Sequence, residues 1–98
     1  MVVVNITPVR SLRSAKEFKI KGLEALGVKS LGDPLPLGLT KEALERAQHF
    51  LKTAEDEYWN LRESINSPAD RNTADDQYHR CTEMLNRVRR YNDIPLKL

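Results

Sequence analysis

The stretch from Thr40 to Ile65, TKEALERAQHFLKTAEDEYWNLRESI, decides how the rest of the chain is read. Leu44, Ala47, Leu51, Ala54, Tyr58, Leu61 and Ile65 follow one another in steps of three and four. That spacing places them on one stripe of an α-helix. Ala43, Phe50 and Trp59 widen the stripe, while Lys41, Glu45, Lys52, Glu55 and Arg62 fall on the other faces. Thr40 is suited to accept from the first free N–H groups, and Glu42 stands in the positively polarised first turn. Leu39 before the cap and Leu44 at the fourth helical position have the spacing of a hydrophobic staple. A helix over 40–66 is therefore the central expectation, about 39 Å long at roughly 1.5 Å per residue.

A second stripe lies downstream. Ala74, Tyr78, Cys81, Leu85 and Val88 repeat the four-three spacing, with Met84 and Tyr91 beside them and Pro95 ending the pattern. Thr73, followed by Asp75 and Asp76, starts this helix at residue 74 and carries it to 92. The polar run Asn66-Ser67-Pro68-Ala69-Asp70-Arg71-Asn72-Thr73 separates the stripes and reads as a loop over 67–73. In the alternative reading Ser67 is the cap and Pro68 the first helical residue, which adds a turn and a half. Two stripes joined by a short connection predict an antiparallel helical hairpin.

Two helices cannot cover both stripes, so residues 1–39 are expected to supply a third layer. Val2-Val3-Val4-Asn5-Ile6 favours an extended strand, stopped by Pro8 and in need of a partner edge. Ser14 and Glu17 have capping-box spacing, and Ala15, Phe18, Gly22 or Leu23, and Leu26 form a short stripe that Gly27 can close. A strand through Phe18 and Ile20 is the rival reading; helix is preferred. From Gly27 to Leu39, Gly32, Pro34, Pro36 and Gly38 exclude a helix, yet Leu31, Leu35, Leu37 and Leu39 are apolar. This segment reads as an extended strap, laid over the core or docked on a partner. The fold class is thus mainly α: one small domain of 98 residues, with the hairpin, a short N-terminal helix, an optional N-terminal strand, the Leu/Pro strap and a tail over 93–98.

Composition limits function. With 31% charged and 40% hydrophobic residues, the chain is neither a disordered polyampholyte nor a membrane protein, and no apolar run nears the roughly 20 residues of a spanning helix. Val2-Val3-Val4 is too short for a secretory signal. The single cysteine, Cys81, cannot make an internal disulfide and fits a reducing cytoplasm. Charge is +3 over residues 1–38, −2 over 39–66 and +1 over 67–98. No part is as basic as a protein that binds chiefly by neutralising phosphates.

No phosphate loop, metal-ligand cluster or nucleophile elbow is present, so the reading is of a non-enzymatic chain without cofactors. His49, His79 and Cys81 are the soft ligands, read as two surface histidines and a buried thiol. Glu55-Asp56-Glu57 and Asp75-Asp76 read as solvated helix faces. Arg80, Arg87, Arg89 and Arg90 form the densest basic cluster: complements to a helix C-terminus, or contacts to phosphate or an acidic protein. Tyr91 beside them could stack on a base. Tyr58 and Trp59 are adjacent, so one must reach the boundary, and exposed aromatics anchor interfaces. Ser67-Pro68 is a tight turn or a loop for a prolyl isomerase.

The extended Met1-Val2-Val3-Val4 start, the Leu/Pro strap and a hairpin broken at Asn66-Ser67-Pro68-Ala69 resemble, through size and organisation over the whole chain, the anti-RecBCD proteins of lambdoid phages. The resemblance implies a modulator without catalytic residues, working in the host cytoplasm. It would bind the RecBCD helicase–nuclease through RecC and inhibit or redirect it, protecting phage DNA and favouring phage recombination. The candidate partner-binding residues, chosen on physical grounds, are Leu35, Leu37, Trp59, Pro68, Arg80, Arg87, Arg89, Arg90 and Tyr91. The runner-up is a small helical DNA-binding protein that uses the C-terminal arginines.

Overall fold

In the computed structural model, which describes residues 12–93, the chain forms three helices: α1 (Leu12–Leu26), α2 (Lys41–Ser64) and α3 (Pro68–Asp93). The expected N-terminal strand and the tail beyond residue 93 lie outside the described residues.

The central helix forms as its sequence dictates. Thr40 adopts extended backbone (φ −79, ψ 161) and its side chain accepts a hydrogen bond from the Ala43 amide at 3.0 Å. That satisfies one of the donors every helix start leaves unpaired. Leu44, Ala47, Leu51, Ala54, Tyr58 and Leu61 are all buried, and Ile65 packs against them from just past the helix end. Glu55 departs from the expected outer face. It is buried, and its carboxylate accepts from Lys52 Nζ at 3.0 Å and from the Thr82 hydroxyl of α3. A carboxylate at a helix–helix seam persists because both neighbours donate to it.

α1 is a helix, and the strand alternative is excluded for these residues. It starts at Leu12, so Ser14 is an internal residue and not the cap its spacing with Glu17 suggested. Its end follows the sequence: Gly27 takes φ +73, its amide donates to the Glu24 carbonyl, and the Val28 amide donates to that of Leu23. These two bonds are a Schellman closure, which needs a residue free of the left-handed steric penalty.

The start of α3 corrects the expected loop over 67–73 and the expected first residue 74. The helix begins at Pro68, and only residues 65–67 link it to α2. Proline costs nothing at a first helical position, since it lacks the N–H that would otherwise go unpaired. The Ser67 hydroxyl accepts from the Asp70 amide at 3.4 Å and its carbonyl from the Arg71 amide at 2.9 Å. Arg71 folds back to donate from Nη2 and Nε to the Ile65 carbonyl, at 3.0 and 3.3 Å. This is the alternative reading, Ser67 as the cap and Pro68 as the first helical residue, and the polar side chains serve the corner itself. No cis peptide bond occurs among the described residues, so Ser67-Pro68 is trans.

α2 and α3 form the antiparallel hairpin. Going down the pair, Arg62 meets Asp75 at 3.1 Å, Trp59 lies against Tyr78 with ring centroids 5.0 Å apart, and Glu55 meets Thr82. Ala74, Cys81, Met84, Leu85 and Val88 fill the seam from α3, with Tyr78 and Tyr91 half-buried at its border. α1 packs against α2 and touches α3 at few points. Phe18 stacks on Phe50 at 6.5 Å, and Gly22 sits so near α2 that a Cβ there would fall 2.7 Å from Leu51 Cγ. The segment between α1 and α2 then crosses to the far half of α3.

Candidate functional site

The residues singled out from the sequence separate into three groups, because α3 turns its arginines toward different neighbours. Arg87 and Tyr91 belong to the fold. Arg87 donates from Nη1 to the Asp33 carbonyl at 2.8 Å and from Nη2 to the Leu31 carbonyl. The Tyr91 hydroxyl donates to the Pro36 carbonyl and accepts from the Leu39 amide, both at 3.1 Å. Together they satisfy irregular backbone that has no ladder of its own. Leu35 packs against the same core. Asp33 braces the turn from the other side: it accepts from the Ser30 hydroxyl at 2.8 Å and from the Lys29 and Ser30 amides at 3.0 Å. These bonds, led by that of the Ser30 hydroxyl, hold its carboxyl below the usual range.

A second group is exposed but dispersed. Leu37 is 94% exposed on the α1–α2 connection. Pro68 is exposed at the α2–α3 corner, and Arg89 and Arg90 are exposed near the end of α3. Arg80 donates through Nε to Asp76 at 2.8 Å, one turn earlier on its own helix. The four arginines are therefore not one patch.

The third group is a ledge along α2 and α3. Trp59 is 42% exposed, its neighbour Tyr78 is half-buried, and the Arg62 guanidinium lies 4.2 Å from the Trp59 ring centre and 5.8 Å from that of Tyr78. The same Arg62 pairs with Asp75. Tyr58 takes the buried place that the Tyr58–Trp59 adjacency demanded. Arg62 and Tyr78 were not singled out from the sequence. Their signal is positional: Arg62 lies three residues beyond Trp59 on α2, the spacing of helix neighbours, but Tyr78 joins only through the register of the hairpin.

A different face carries a groove of about 370 Å³ between α1, the turn after it and α3. Lys16, Lys19, Lys29 and Arg80 line it over a floor that includes Ile20, Leu23 and Leu31. Lys19 Nζ donates to Gln77 Oε1 of α3 at 2.9 Å. Burial lowers the Lys19 ammonium below its ordinary value, with Lys16 and Arg80 pushing the same way and Cys81 and Asp76 opposing. This groove was also missed; its cations come from three separate segments, and only the Lys16–Lys19 spacing hints at them.

Cys81 is fully buried while His49 and His79 are exposed, and no group of three or more His, Cys, Asp or Glu able to hold a metal occurs among the described residues. No helix among them is long and apolar enough to cross a membrane. In comparison with known proteins, no family model, curated protein or solved structure matches this chain.

Proposed function

We propose that this chain is a small docking protein that binds a partner through the α2–α3 ledge of Trp59, Arg62 and Tyr78. The partner proposed is the one implied by the resemblance, the RecBCD helicase–nuclease of a phage host, met through RecC. The observation that carries the docking reading is Trp59: a large aromatic left 42% exposed on a rigid hairpin, flanked by an arginine and a tyrosine. Trp, Tyr and Arg are the side chains that dominate binding energy at protein interfaces. Here all three are already held against one another, so little rotamer freedom is lost when a partner covers them. A docking protein of this kind modulates its target by binding one conformation better than another.

DNA binding through Arg80, Arg87, Arg89 and Arg90 has weaker support. Arg87 is engaged by two backbone carbonyls and Arg80 by Asp76.

The test is affinity capture from host lysate and from purified complex, with wild-type chain and Trp59→Ala side by side. Wild type should retain the helicase–nuclease subunits, and Trp59→Ala should weaken retention by about 2 kcal/mol or more, the loss typical of an interface hot spot. Soluble bait that retains none of the subunits removes the proposed partner. Capture undiminished by Trp59→Ala removes the ledge as the surface.

A further inference from the structure

The groove between α1 and α3 is independent of the ledge and shares no residue with it. Four cations from three segments, Lys16 and Lys19 of α1, Lys29 of the following turn and Arg80 of α3, face one concavity whose lining contains no carboxylate. Two acids couple to these cations from outside the lining, and both are engaged: Asp76, felt by Lys19, by the Nε of Arg80, and Asp33, which feels Lys29, by the Ser30 hydroxyl and the Lys29 and Ser30 amides. Lys16 and Lys29 form no ion pair among the described residues, and Lys19, bonded to Gln77, keeps further protons to donate.

Like charges gathered over an apolar floor repel one another, and an anion bound between them turns that repulsion into attraction. We propose that this groove binds a phosphate-bearing ligand. The side-chain types suit that chemistry. Three of the four cations are lysines, which meet phosphate as rotatable point charges, and the guanidinium of the fourth matches two phosphate oxygens at once. The fourth, Arg80, keeps its terminal nitrogens for the groove while Asp76 holds its Nε. No aromatic side chain lines the concavity, so bases have nothing to stack on and recognition is of the phosphates alone. A phosphodiester strand and a free polyphosphate offer the same groups.

The experiment titrates the full chain at low salt with inorganic tripolyphosphate by calorimetry and with a labelled oligothymidylate by anisotropy. Wild type and the Lys16→Gln/Lys29→Gln variant are compared; both changes are at exposed positions, and circular dichroism verifies that the helices remain. The expected result is binding of at least one of the two probes that weakens with salt. The double variant should weaken it by about tenfold or more and reduce the salt slope by about one to two units. Tighter binding of the oligonucleotide identifies a nucleic-acid backbone as the source, and tighter binding of tripolyphosphate a small phosphate. Binding of neither probe overturns the proposal. So does binding that survives in the double variant but is lost in Arg89→Gln/Arg90→Gln, or a poly-glutamate peptide that binds more tightly than both. Trp59→Ala should leave this binding unchanged, which separates the groove from the docking ledge.

Discussion

Gly22 is the residue on which the seating of α1 depends. It lies buried inside a helix, where glycine normally weakens the structure by about 1 kcal/mol relative to alanine. Its use is distance: an added Cβ would meet Leu51 Cγ at 2.7 Å and Cδ2 at 2.9 Å, and Leu51 is itself fully buried with nowhere to move. Overpacking of this kind costs about 1–3 kcal/mol, more than the helical preference of alanine returns. Gly22→Ala should therefore lower the urea midpoint. Leu51→Ala alone should cost about 2–5 kcal/mol by leaving a cavity, and combining the two should cost less than their sum, because the new methyl group occupies part of the emptied space. A Gly22→Ala protein more stable than wild type would show that the helices do not approach so closely.

The connection between α1 and α2 shows how an irregular element is held. Leu31 is buried and Leu35 and Leu39 pack on the core, but apolar contact alone leaves carbonyls and amides without partners. Arg87 and Tyr91, one turn apart on α3, supply those bonds. Arg87→Ala strips two carbonyls of their donor and is expected to cost about 1–3 kcal/mol. Tyr91→Phe removes one donor and one acceptor for about 1 kcal/mol. Hydrogen exchange distinguishes these from general loosening. The Leu39 amide should exchange faster in Tyr91→Phe while amides in the middle of α2 keep their protection. Uniform acceleration across α2 would mean that the connection is not a separately held element.

At the scale of the whole molecule, α2 is the element that both other helices pack against, and the buried weak acids lie on it and on its partner. Burial pushes the Cys81 thiol from 9.0 up to about 12, Lys19 opposing and Glu55 adding to the rise, and burial also raises the Tyr58 phenol above its ordinary value. In the unfolded chain the thiol loses its proton near its ordinary value, while the folded chain keeps it. The thiol's contribution to stability is therefore complete below about pH 9 and is lost as pH rises toward about 12. Urea midpoints at about pH 7 and about pH 10.5 should show this fall, and Cys81→Ala should reduce it. An alkaline fall of the same size in Cys81→Ala would remove the thiol from the account. Slow reaction of Cys81 with thiol reagents at neutral pH, becoming fast only on unfolding, follows from the same burial.

Local sequence is enough to place the three helices and most of their buried faces. The stripe from Leu44 to Leu61, the Thr40 cap, the Gly27 stop and the stripe from Ala74 to Val88 are local in origin, set by periodicity and by single capping residues. Antiparallel pairing followed, because two apolar stripes on a short link have few other ways to leave water. Two local signals misled: Ser14–Glu17 matched a cap inside a helix, and the polar run after Ser67 matched a loop although Pro68 and Asp70 suit a helix start. Tertiary structure decided the rest. Arg87 and Tyr91 looked like surface anchors until the α1–α2 connection was laid across them. Trp59 gained Tyr78 through the hairpin register, and the cations of the groove were brought together from positions 16 to 80. Those outcomes depend on which distant segments share a face, a property that no helical period encodes.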